Sequence, residues 1–203
     1  MRDPYAVVKD FEQAVVEYTE AKYVVSVSSC TMALLLAVAW HKQALPGRWA
    51  VEIPKRTYVG VPMSIIHAGG KVLFRDEDWI GEYQLKPFPV WDSARRFTSC
   101  MYRPGGFQCV SFHASKILGD SQGGAILHDN EAADAWLRKA RFDGRSEGVP
   151  PIEDDFPILG YHCYMSPDVA ARLMHKLSVL PKHNAPLPND NYPDLSQFEI
   201  FKG

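Results

Sequence analysis

Three groups of polar side chains in this sequence have types and spacings suited to covalent chemistry, and each stands where a short apolar run stops. Ser29 and Thr31 follow the β-branched run Lys22–Ser28 and open an apolar stretch. Backbone N–H groups and a hydroxyl at a helix N-terminus make an anion site, most simply for phosphate. A threonine there is equally a plain N-cap. Asp92 follows Pro89-Val90-Trp91. A carboxylate at the edge of a core needs a partner or it neutralises, and Arg95 or Arg96 offers an ordinary ion pair. Lys116 follows Ser111-Phe112-His113-Ala114-Ser115 and precedes Ile117-Leu118-Gly119. A partly desolvated lysine has a lowered pKa and becomes an amine nucleophile toward carbonyls. The plainer alternative is a solvated loop lysine.

The elements that must hold these groups alternate between strand and helix signals. Asp3 and Pro4 predict a cap and first turn for a helix carrying Val8, Phe11, Val15 and Tyr18 at helical spacing. Strands are predicted at Lys22–Ser28, Trp49–Ile53, Val72–Phe74, Phe88–Trp91, Phe107–Phe112 and Gly124–His128. Helices are predicted at Thr31–Ala44, Thr57–Ala68, from Asp129 or Asn130 to about Phe142, and from Ser166-Pro167-Asp168 to Leu180. Pro46-Gly47 reads as a turn, and Gly144–Pro157 as an exposed loop. From Pro181 onward four prolines fall in 23 residues, which predicts an extended or poorly ordered tail. The alternation implies an α/β fold with a mostly parallel sheet and helices on both faces. In such sheets ligands bind at the carboxyl ends of the strands, where all three groups lie.

Composition narrows the function further. The 203 residues, 46% of them hydrophobic, suffice for one sizeable core. A net charge of -2 gives no basic field for nucleic acid and no polybasic membrane patch. The longest apolar run, Met32–Trp40, has nine residues, about half of a membrane span. The N-terminus does not read as a signal segment. Cys30, Cys100, Cys109 and Cys163 form no C-x-x-C pair, which predicts reduced thiols and a cytoplasmic location. The seven histidines, His113 and His128 among them, are scattered without ligand spacing, so no metal site is expected. Dinucleotide-binding and P-loop glycine motifs do not occur.

Taken together, a phosphate cradle, a carboxylate for a pyridinium nitrogen and a Schiff-base lysine form the set that pyridoxal phosphate requires. The chain resembles the DegT/DnrJ/EryC1/StrS family of sugar aminotransferases, a fold-type I branch of the pyridoxal-phosphate enzymes, from about Phe11 to Leu180. Val27-Ser28-Ser29-Cys30-Thr31-Met32-Ala33-Leu34 is similar to the family's V-x-S-G-T-x-A-L turn. Pro54-Lys55-Arg56-Thr57-Tyr58 is similar to P-x-x-T-[FWY], with Gly69 and Asp76 following, and Trp91-Asp92-Ser93-Ala94 to E-D-A-A. Ser111–Lys116 is similar to S-F-x-x-x-K, Gln122-Gly123-Gly124-Ala125 to G-G-A, and Leu159–Met165 to L-G-Y-N-Y-R-M. The S-F-x-x-x-K and G-G-A pieces in tandem are the most specific.

The resemblance implies roles residue by residue. Lys116 would hold the cofactor as a Schiff base and move the proton in the 1,3-shift. Asp92 would keep the pyridine nitrogen protonated. Tyr58 would stack on the ring, and Thr31 and Ser111 would bind phosphate with help from the N–H of Cys30. His162 stands where the family has an Asn that reaches the neighbouring subunit's phosphate, which implies a homodimer with shared active sites. Three positions depart from the pattern. Cys30 replaces a Gly and Tyr164 an Arg, and Arg95 replaces the Gln or His that faces the cofactor's phenolic oxygen.

Length is a further departure. Only eleven residues separate Asp76 from Phe88, where the family has a strand, a helix and loops. They cannot supply a parallel strand with its crossover. Of the family's six to seven strands, six main ones are therefore expected, with Trp49–Ile53 beside Phe88–Trp91. The expected organisation is a pyridoxal-phosphate-binding domain over residues 1–180 and an extended tail over 181–203, without the family's small C-terminal domain. The implied activity is transfer of an amino group from an amino acid, glutamate by resemblance, to a nucleotide-linked keto-sugar. Two alternatives stand beside it. One is a pyridoxal-phosphate-dependent sugar dehydratase, although such relatives usually carry His where Lys116 stands. The other is a cofactor-binding relative with a regulatory or assembly role and no turnover.

Overall fold

A computed structural model of the chain describes residues 3, 5–45, 47–189 and 191–202. The expectations placed on Pro4 and Pro46 fall outside those residues. Helix α1 (Ala6–Thr19) buries Val8, Phe11 and Val15 on one face and ends at Glu20, whose φ of 63° is left-handed. Tyr5, not Asp3, takes its N-cap position; the Asp3 carboxylate accepts the Tyr5 N–H at 2.9 Å instead. Strand β1 (Tyr23–Val27) leads into α2 (Cys30–Lys42), which is apolar on most faces and buried from Ala33 to Ala39. Next come β2 (Ala50–Pro54), α3 (Gly60–His67), β3 (Lys71–Arg75), β4 (Tyr83–Leu85), β5 (Val90–Asp92), β6 (Phe107–Ser111) and β7 (Gly124–His128). Helices α4 (Glu131–Arg141) and α5 (Pro167–Ser178) complete the α/β layers. Asn130, one of the two expected caps, accepts the Ala133 N–H at 2.9 Å.

Period-two alternation along the strands builds two cores, one on each face of the sheet. Val25, Val27, Cys109 and Ile126 face α2, α3 and α4. Val24, Val110, Ala125 and Leu127 face α1 and α5. A buried ion cluster ties the second layer to the sheet. Glu12 of α1 accepts from Arg138 and Arg141 of α4 and from the Ser26 hydroxyl of β1. The two guanidinium charges overcome the burial of Glu12 and hold its carboxyl below the usual range.

The sheet corrects two expectations. Its order is β1-β7-β6-β5-β4, with β2 and β3 forming a separate parallel pair. The strands are mixed rather than mostly parallel: β1–β7, β6–β7 and β4–β5 pair antiparallel, while β5–β6 and β2–β3 pair parallel. The described residues also form seven strands rather than six, and β2 does not lie against β5. β4 stands between them, and Glu52 of β2 exchanges two backbone hydrogen bonds with Lys86, just beyond β4, at 2.8 and 3.1 Å. The physical reason is that the short segment after Asp76 has no room for a crossover but enough for a hairpin, which reverses the chain within four residues.

Beyond α5 the chain is mostly extended, with two short 3-10 turns at Leu195–Gln197 and Glu199–Phe201, and docks at several points. Ser99 N–H donates to Lys182 O at 2.9 Å, Leu187 N–H to Arg95 O at 2.8 Å, and Gly81 N–H to Leu187 O at 3.1 Å. Leu195 N–H then donates to Lys55 O at 2.8 Å, and the Leu195 side chain is buried. This path carries the segment past Arg95, just beyond β5, and Lys55, just beyond β2.

Candidate active site

The first wall of the site comes from the β1–α2 junction. Ser29 caps α2, its hydroxyl accepting the Met32 N–H at 3.2 Å. Cys30 and Thr31 then hold the first helical positions, whose N–H groups have no partner within the helix. Cys30 stands in an ordinary helical conformation, so the turn does not need the glycine that the resemblance places there. Close approach is met from the other side. A Cβ on Gly124 would lie 2.5 Å from Cys30 N and 2.6 Å from Ser29 C, so a bare backbone at the start of β7 lets the two strand ends meet.

The floor comes from β5 and β4. Asp92 is buried at 4% exposure. Its Oδ1 accepts the Ala94 N–H at 3.0 Å and its Oδ2 accepts the Tyr83 hydroxyl at 2.8 Å. Burial pushes its carboxyl above the usual range, opposed by those two donors and by the charges of Lys116 and Arg95. Tyr83 in turn lies 2.5 Å from the hydroxyl of Thr57.

The third wall is the loop after β6. Ser111 ends the strand, and the Lys116 N–H donates to His113 O at 2.9 Å in a tight turn. Asp120 anchors that loop. Its N–H donates to Phe112 O, and its carboxylate accepts from Arg172 and Lys176 of α5 at 2.9 and 2.8 Å. Those two cations hold the Asp120 carboxyl well below the usual carboxylate range. Lys176 also donates to Gly119 O at 2.7 Å. Helix α5 thereby fixes the backbone on which Lys116 is presented.

These walls enclose a cavity of about 410 Å³. Seven of the eight residues expected from sequence line it: Cys30, Thr31, Tyr58, Asp92, Arg95, Ser111 and Lys116. His162 does not. Its side chain is 72% exposed, its Nδ1 lies 2.8 Å from Asp143 Oδ2, and its ring meets Tyr164 edge-on. Among the lining or supporting residues that carried no expected role are Thr57, Trp79, Tyr83 and Tyr192. Trp79 and Tyr192 stack at 6.3 Å with their planes 13° apart, and Tyr58 meets Tyr192 at 6.5 Å. Tyr192 comes from the segment after α5, so the extended tail forms part of the wall.

Among the described residues, no group of three or more His, Cys, Asp or Glu side chains could hold a metal ion. All four cysteines are free. Among the described residues no helix is long and apolar enough to cross a membrane.

A family model for the DegT/DnrJ/EryC1/StrS aminotransferases matches residues 2–90 and 102–186. No curated protein matches the chain. Among solved structures, AtS13 from Actinomadura melliaura superposes with a TM-score of 0.77 at 19% identity, over 86% of this chain and 60% of that one. The sugar aminotransferase CalS13 from Micromonospora echinospora gives 0.71 at 20% identity, over 86% and 61%. A GDP-4-keto-6-deoxymannose-3-dehydratase with a trapped PLP-glutamate geminal diamine gives 0.71 at 18% identity, over the same shares. This chain thus spans about three-fifths of the length of these structures. With the fold, the order of the motifs and the family model in agreement, the chain belongs to the DegT/DnrJ/EryC1/StrS aminotransferase family.

Proposed function

We propose that this protein binds pyridoxal phosphate in the cavity between β1, β5 and β6 and uses it as an aminotransferase. The observation that carries the reading is the convergence of a helix N-terminus, a buried carboxylate and a lysine on one cavity. The donor set fits the cofactor. Asp92 has two hydrogen bonds from protein donors and keeps acceptor capacity for a cationic N–H. The first turn of α2, with Thr31 and Ser111, offers the N–H and hydroxyl donors that a phosphate dianion requires.

Bound there, the cofactor would supply an aldehyde carbon for amine capture and a conjugated ring that draws electron density from the substrate's α-carbon. The chain's own residues do the rest. Asp92 holds a proton at the ring nitrogen, and its burial strengthens that charge-assisted bond. Lys116 would supply the amine that takes the aldehyde and, once the substrate amine displaces it, would move a proton between the substrate's α-carbon and the cofactor's aldehyde carbon. Arg95 presents a fixed positive charge near Asp92 and would stabilise negative charge on a ring oxygen. Tyr58 would pack against the ring, and the stacked Trp79 and Tyr192 add apolar wall that would limit water there.

By resemblance, the amino donor is an amino acid such as glutamate and the acceptor is a nucleotide-linked keto-sugar. The solved dehydratase neighbour was trapped with a PLP-glutamate adduct, which supports the donor. The test is chemical. Protein incubated with pyridoxal phosphate, reduced with borohydride and digested should carry the pyridoxyl mass on Lys116. A pyridoxyl group on another lysine, or on none, overturns the reading.

A further inference from the structure

Asp92 does not meet the cavity alone. In the β4–β5 ladder the residue directly opposite it is Tyr83. Direct opposition puts two side chains on the same face of the sheet, and a slip of one residue would turn Tyr83 to the other face. Tyr83 is 1% exposed, and its hydroxyl sits between Thr57 Oγ1 at 2.5 Å and Asp92 Oδ2 at 2.8 Å. A phenol has one proton to give, and an ionised carboxylate can only accept. The Tyr83 proton therefore points at Asp92, and the Thr57 hydroxyl donates to the phenol oxygen. Hydrogen bonds aligned in one direction polarise each other, so the chain Thr57→Tyr83→Asp92 delivers a stronger donor than an isolated phenol.

We propose that Tyr83, backed by Thr57, is a positioning residue that keeps the Asp92 carboxylate charged and aimed at the cofactor's ring nitrogen. This rests on the cofactor reading above and deepens it. The role belongs to the hairpin strand β4, formed by the segment whose shortness alters the sheet. The other titratable and charged groups near Asp92 are Lys116, Arg95, Cys30 and Cys109. None of them is altered by changing Tyr83, so a comparison with wild type isolates the phenol.

The sign follows from acid–base competition. Removing the phenol raises the proton affinity of Asp92. The proton shared with the ring nitrogen moves toward the carboxylate, and the ring loses positive charge. A lost positive charge raises the pKa of the protonated link between cofactor and lysine. Tyr83→Phe keeps the packed ring and removes only the hydroxyl. Loaded with pyridoxal phosphate carrying an isotope-labelled ring nitrogen, Tyr83→Phe should show that nitrogen's resonance displaced toward the unprotonated position. The pH midpoint of the bound cofactor's visible band should move upward, and kcat should fall roughly tenfold with KM little changed. Thr57→Val should move the resonance and the midpoint in the same direction by less.

If Tyr83→Phe takes up cofactor yet keeps the wild-type resonance and midpoint, the proposal is overturned, whatever happens to kcat, and the cofactor site stands. If wild type itself takes up no cofactor, the site reading falls first and this proposal with it. Should Tyr83→Phe fail to fold, Thr57→Val decides on the same two readouts.

Discussion

Asp92 sits where fold stability and chemistry pull in opposite directions. A buried carboxylate with two donors is still short of what water gave it, which is why its proton affinity rises. Without cofactor that charge is a cost to the fold. With a cationic ring nitrogen beside it, the same charge becomes the strongest hydrogen bond in the site. Asp92→Asn should therefore leave the cofactor-free protein as stable as wild type or more so, read by thermal unfolding. Its affinity for pyridoxal phosphate should fall by the loss of one charge-assisted bond, roughly tenfold to a hundredfold. Turnover should fall further, because a neutral amide cannot keep the ring nitrogen protonated. Near-wild-type turnover in Asp92→Asn would remove it from the chemistry. At this scale much was legible in sequence. Asp92 and Ser111 end strands and Thr31 and Lys116 follow strand ends, and strand ends are where open α/β sheets bind ligands. Tyr83 was not legible, because a tyrosine amid Gly81, Glu82 and Leu85 reads as core, and only the ladder register turns its hydroxyl toward Asp92.

The helices and longer strands were readable because their apolar periods are long. The runs that became α2, β6 and β7 each extend far enough to fix the type of element. Strand β4 has three residues, too few for a period, and it joins the sheet through a hairpin that needs no crossover. The segment after α5 has no period at all, since its order comes from backbone hydrogen bonds to Arg95, Gly81 and Lys55. Helix α2 also carries a tension between local and tertiary terms. His41 lies in its last turn, where the helix dipole favours a cation. Its ring instead meets Phe107 edge-on at 4.6 Å and stacks on Phe88 at 5.6 Å. Burial wins and pushes its pKa down to about 4 from 6.5. Between those values the unfolded chain holds a proton that the folded protein refuses, so stability rises with pH through this window and is lost as pH falls. His41→Phe cannot take that proton. It should lose less stability than wild type between pH 6.5 and 4 in denaturant titrations. The difference should be on the order of 1–2 kcal/mol, below full linkage because the half-buried ring is partly screened. Parallel losses in the two proteins would show that His41 is protonated in the fold.

At the scale of the whole molecule, the residue that bears on assembly is His162. It stands outside its own cavity with its side chain 72% exposed, although its motif resembles one whose residue binds phosphate in the neighbouring subunit. The adjoining loop exposes Ile152 at 94%, Phe156 at 53% and Leu159 at 95%. Apolar side chains this exposed leave the loop open to a contact. A two-fold pairing is the commonest closed arrangement, and it would bring each His162 to the other copy's site by the same operation. An interface of this obligate kind should bury on the order of 2,000 Å², so separating the subunits should release cofactor along with activity. The test uses two inactive variants, Lys116→Ala and His162→Ala. If sites are shared across the interface, a mixed dimer contains one site lacking both residues and one site with both intact. Mixing the variants under conditions of subunit exchange should then restore about a quarter of wild-type activity, since half of the dimers are mixed and each has one of its two sites intact. If His162 served the site of its own subunit, every site in the mixture would lack one of the two residues, and mixing would restore nothing. Light scattering on the cofactor-loaded protein completes the argument: a monomer that keeps its pyridoxal phosphate would show that a single chain closes the site without a partner.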